Sequence, residues 1–112
     1  MSRHLVTYHG GEMPTDPEAQ QQVLQAFQTW AASVGSALLD PGAPLGQAKT
    51  ISASGISEGM GGASISGYTL LEASSLDDAV RLLGTHPYVS RGGSLQVSEP
   101  RARRLRHARR SA

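Results

Sequence analysis

Only two stretches of this chain have the pattern of an amphipathic helix, and that limit governs what its strands can become. The first is TDPEAQQQVLQAFQTWAASVG, residues 15–35. Thr15 or Asp16 can cap it, Pro17 suits its first turn, Glu18 stands three residues beyond Thr15 as in a capping box, and Gly35 supplies a stop. Val23, Phe27, Trp30 and Val34 share one stripe, with glutamines largely outside it, so the stripe is a core face. The second is SSLDDAVRLLG, residues 74–84. Ser74 or Ser75 can cap it, Asp77 and Asp78 favour the positive end of its dipole, and Leu76, Ala79, Val80 and Leu83 recur at helical spacing before Gly84.

Around these helices lie four strand patterns: HLVTYH (4–9), SALLD (36–40), YTLLEA (68–73) and GSLQVSE (93–99). Between the second and third, AKTISASGISEGMGGASISG is rich in Gly and Ser. There Thr50-Ile51 and Ser64-Ile65 suggest a hairpin-like excursion through Ser54-Gly55. The order is β-α-β-β-α-β with an insertion after the second strand, which predicts an α+β, ferredoxin-like domain with an antiparallel four-stranded sheet. Two helices cover one side of such a sheet, yet its central strands carry apolar residues on both. A second copy of the sheet is the economical cover for the other side, so a homodimer is expected.

The 112 residues suit one domain, placed at 1–100, followed by a basic tail at 101–112. Charge divides the same way. Residues 1–100 hold four Lys and Arg against nine Asp and Glu, whereas RARRLRHARRSA holds six arginines and no acid. Arg101, Arg103, Arg104, Arg106, Arg109 and Arg110 are the residues through which nucleic acid or an acidic protein surface could be met. With no aromatic residue among them, such nucleic-acid binding would be nonspecific and salt-dependent. The absence of cysteine excludes disulfides, thiolate zinc sites and a thiol nucleophile. MSRHLVTYHGG lacks the apolar core of a signal peptide and no run approaches the ~20 apolar residues of a membrane span, so a soluble, cytoplasmic protein without membrane contact is expected.

Neither a dinucleotide fingerprint nor a phosphate loop is present, since GMGGAS fits neither pattern. A nucleophile elbow is missing as well. The histidines at 4, 9, 86 and 107 lack metal-ligand spacing, and no metal or cofactor is expected. Candidate acid–base residues are therefore few. His86 opens the corner HPYVSRGG behind the second helix, where a helix end favours its cation and suits it as a general acid. The same corner can simply turn the chain. His9 ends the first strand beside Gly10-Gly11, and Asp40 follows the second strand; either can act as a base. Lys49 and Arg91 can stabilise an anion, Arg91 bidentately. Tyr8 and Trp30 are candidate contacts for a small oxygenated or aromatic substrate.

YHGGEMP before a Trp-bearing helix, ALLDPGAPLGQAKTIS, GYTLLEASSLDDAVRLL and HPYVSRGGSLQVSE together resemble the YCII-related family, in particular its DGPF-type branch. The resemblance spans roughly residues 4–99. It implies a dimeric α/β barrel made of two ferredoxin-like sheets packed face to face, with a pocket near the barrel mouth. Some relatives are enzymes, among them a dehydrochlorinase with a proposed His-Asp pair. The family's histidine lies in the first helix, where this chain has Phe27, Gln28 and Trp30; Asp40 matches the acidic member alone. Two readings follow: a small-molecule-binding protein, as a lyase or isomerase using acid–base chemistry, or a noncatalytic regulatory module with the barrel as scaffold.

Overall fold

In the computed structural model, residues 1–11, 14–60 and 64–101 are described. The architecture is α+β. A four-stranded antiparallel sheet has the order β2-β5-β1-β6, and a separate two-stranded ribbon pairs β3 with β4. Strand β1 spans Ser2–Gly10, β2 Leu38–Pro44, β3 Lys49–Ser52, β4 Gly55–Glu58, β5 Gly67–Ala73 and β6 Gly93–Ser98. The helices are α1 at Pro17–Val34, α2 at Leu76–Leu83 and the one-turn α3 at Pro87–Ser90.

Each main helix begins where a side chain satisfies an otherwise unpaired amide. The carboxylate of Asp16 accepts from the Ala19 amide at 3.0 Å, ahead of Pro17, and the Ser75 hydroxyl accepts from the Asp78 amide at 3.0 Å. Asp16 rather than Thr15 therefore caps α1, and Ser75 rather than Ser74 caps α2. The buried faces meet one side of the sheet: Trp30 of α1 and Ala79 and Leu83 of α2 form a core with Val6, Leu71 and Ala73. Full burial of a large apolar side chain contributes roughly 1.5–3 kcal/mol, so this cluster is the principal anchor of the two layers. On α2 the inward stripe takes Leu82 in place of Val80, which is exposed.

Two expectations change. Strand β2 does not stop at Asp40 but continues through Pro-Gly-Ala-Pro, with register irregularities on both sides of Asp40. The inserted ribbon is tighter than Thr50-Ile51 against Ser64-Ile65, because Ile51 pairs with Ile56 across a turn at Ala53-Ser54. Among the described residues, no helix is long and apolar enough to cross a membrane.

Candidate binding cleft

The His-Pro corner is the centre of a directed hydrogen-bond chain. His86 is held in extended conformation, as expected of a residue before proline, and its Nδ1 accepts the Tyr88 amide at 3.0 Å. That acceptor role leaves the ring proton on Nε2, which donates to Tyr8 Oη at 2.8 Å. Thr69 spends its hydroxyl proton on the Pro41 carbonyl at 3.0 Å. Tyr8 must then donate to Thr69 Oγ1, 2.7 Å away. The chain runs from the corner through β1 and β5 to β2, with every donor direction fixed by its neighbours.

His86 is 3% exposed. Its ring lies 4.4 Å from the Trp30 ring and 5.7 Å from that of Phe27, centroid to centroid. Burial among these rings pushes its pKa down to about 4, and the positive charge of Arg91 acts in the same direction. Desolvation thus outweighs the helix-end effect, and at neutral pH His86 is an uncharged donor and cap rather than a stored acid. Burial likewise raises the pKa of Tyr8, against an opposing contribution from its bond to Thr69, so the phenol keeps its proton.

A second set of bonds fixes Tyr88. Its hydroxyl donates to the Gly10 carbonyl and lies 3.0 Å from Ser66 Oγ, which in turn reaches the Tyr8 carbonyl at 3.1 Å. The Tyr8 and Tyr88 rings meet edge to face at 5.0 Å. The glycine pair after the corner has a steric purpose: a Cβ on Gly93 would lie 2.2 Å from the Tyr88 ring. Arg91 folds back so that its guanidinium carbon sits 5.2 Å from the same ring's centroid.

Between α1 and the bulged part of β2 these groups border a cleft of about 750 Å³. Val23, Leu24 and Phe27 line it from the helix, Pro41–Leu45 from the strand, and Tyr8, Tyr68, Tyr88 and Arg91 complete its walls. The bulge depends on Gly42. Its φ is +74°, and a Cβ there would lie 1.7 Å from the Tyr68 carbonyl oxygen.

Of the residues singled out in the sequence, Tyr8 and Arg91 line this cleft. Trp30 lies buried behind it, donating from Nε1 to the Leu82 carbonyl at 3.1 Å and packing on His86. Asp40 accepts the Gly42 amide at 2.8 Å and so steadies the bulge. His9 has both ring nitrogens engaged, with Thr7 Oγ1 at 2.8 Å and the Ser64 carbonyl at 3.0 Å. Lys49 lies on the ribbon, 3.6 Å from Glu58, with both side chains largely exposed. Asp40 and Lys49 therefore belong to different sheets. Among the described residues no group of three His, Cys, Asp or Glu side chains could hold a metal ion. Arg101 is exposed; Arg103, Arg104, Arg106, Arg109 and Arg110 lie outside the described residues.

Sequence reasoning missed Thr69 and Tyr88 in the hydrogen-bonded set and Val23, Phe27, Gly42 and Tyr68 in the cleft lining. A threonine at an inward position of an otherwise apolar strand is a signal, because a buried hydroxyl needs a partner. The sequence of the chain matches no protein-family model and no curated protein.

Proposed function

We propose that this chain is a small-molecule-binding protein of YCII-related, DGPF-type character, built on a ferredoxin-like domain and acting as a cytoplasmic homodimer. The observation that carries the binding reading is the cleft: about 750 Å³, walled by aromatic and aliphatic side chains, with few polar groups at defined places. Support for the dimer comes from the sheet. Its helix-covered side buries Val6 and Leu71 completely, whereas Leu5 on the adjacent register position is 43% exposed. Two such open faces packed together would form the dimeric barrel.

Binding without turnover is the form the geometry favours. A lyase or isomerase moving a proton needs a base at the ligand, and among the described residues no carboxylate or imidazole lines the cleft. His86 touches it only through Tyr8. Residues 102–112 of the basic tail lie outside the described residues, so the regulatory alternative rests on the sequence alone.

An amide-resolved NMR screen of the full chain against mixed small phenols and carboxylates tests the cleft. Shifts clustered at Val23, Phe27, Gly42, Tyr68 and Tyr88 are expected. Shifts confined to the β3–β4 ribbon, or none with any compound, would overturn the binding reading. The dimer is tested separately by molar mass in solution, where the mass of a single chain would refute it.

A further inference from the structure

The polar groups bordering the cleft are not equally free to meet a ligand. Tyr8 accepts from His86 and donates its single proton to Thr69. Tyr88 donates to the Gly10 carbonyl, Ser66 reaches the Tyr8 carbonyl, and the Gln20 side chain donates to the Pro14 carbonyl at 2.8 Å. What the cleft shows a visitor at these positions is ring face and hydrocarbon rather than hydroxyl. Arg91 differs. Its guanidinium carries five donors and a permanent charge, and among the described residues it has no carboxylate partner and its buried Nε no acceptor. Its position over the Tyr88 ring holds the fork in place beside an apolar chamber.

From this we infer that the cleft takes a small apolar monocarboxylate, its carboxylate held by the Arg91 guanidinium and its hydrocarbon or aromatic body against Phe27, Tyr8 and Val23. A carboxylate matches the terminal nitrogens of the guanidinium fork with two parallel hydrogen bonds. Among the described lining residues Arg91 is the one cation, which suits one negative charge; a phosphate dianion would leave charge and lone pairs unmet, and an ammonium ligand would face the arginine. This inference rests on the binding reading above and goes further by naming the chemical class.

The test uses two probes of the same shape, benzoate and benzamide, titrated into the full chain at neutral pH and followed by amide NMR. Benzoate is expected to bind at least about tenfold more tightly than benzamide, a difference of about 1.4 kcal/mol. Arg91→Gln should erase that preference, and Arg91→Lys should restore part of it, since an ammonium keeps the charge and loses the fork. Val23→Trp, which fills the chamber, should weaken both probes while leaving the spectrum folded. Equal binding of the two probes to the native chain would overturn the carboxylate inference and leave a neutral-ligand cleft standing. Binding of neither probe would overturn the inference, and silence across the broader screen would remove the binding reading with it. A benzoate preference that survives in Arg91→Gln would place the anion elsewhere and sink the assignment to Arg91.

Discussion

The two faces of the main sheet are made from the same strands and have opposite fates. On β5, Thr69, Leu71 and Ala73 are buried at 1% exposure or less, while Tyr68, Leu70 and Glu72, their alternating neighbours, are only half-buried. On β1, Val6 is fully buried and Leu5 remains 43% exposed. Composition does not separate them, because both faces carry leucine and tyrosine. The difference is that α1 and α2 supply a second layer to one face, and among the described residues there is no third helix of comparable length for the other. Apolar patterning therefore records that a surface is to be covered without recording by what.

The strongest way to break this contrast is to empty the covered face. Leu71→Ala should cost about 2–5 kcal/mol in urea unfolding, as cavity-forming substitutions in a closed core do. A loss below about 1 kcal/mol would mean that the helical layer is not close-packed there.

Next in size comes the pH dependence contributed by His86. Its ordinary pKa is near 6.5 in the unfolded chain and about 4 in the fold. Above the unfolded value both states are neutral and the contribution is complete; as pH falls, only the unfolded chain gains the proton until the folded value is reached. Stability is therefore lost on acidification through that window, by roughly 2–3 kcal/mol between neutral pH and about pH 4.5. His86→Asn, whose side-chain oxygen can still cap the Tyr88 amide, should remove this part of the slope while sparing that of the carboxylates. Parallel slopes for the two proteins would show that the imidazole is not desolvated.

On the open face, Leu70→Ala sharpens the contrast. In dilute protein it should cost about 1 kcal/mol or less, reflecting the area already withdrawn from water. If two open faces pair, the cost should grow with protein concentration, since association then contributes to stability. A large, concentration-independent loss would mean that the face is closed within one chain. Smallest of all is the ribbon. Ile51 and Ile56 are paired yet 79% and 69% exposed, so Ile51→Ser should change monomer stability by no more than about 0.5 kcal/mol.

Periodicity made β1, α1, β5, α2 and β6 legible, because each has a repeating apolar pattern bounded by Gly, Pro or a capping residue. Strand β2 was legible only to Asp40. Pro41-Gly42 reads as a turn, and the chain does bend there, but as a bulge within a strand whose missing proline amide falls at the irregularity. The ribbon was misplaced because Ile56 is its single apolar signal on β4, whereas Ser64-Ile65 offered a similar one farther on. At the site, the residue types were visible and their environments were not. His86 and a capping histidine have the same sequence signature as a general acid. Only the antiparallel register, which pairs Val6 with Thr69, brings Tyr8, Thr69 and the corner within reach of one another.

Trp30 is the chain's single tryptophan, and its indole stands against the His86 imidazole with 4.4 Å between centroids. An imidazolium quenches indole emission far more effectively than a neutral imidazole. The protein thus contains its own optical indicator: fluorescence excited at the indole should dim as the corner takes up its proton, and the midpoint of that dimming reads the state of the His86–Tyr8–Thr69 chain without any added label.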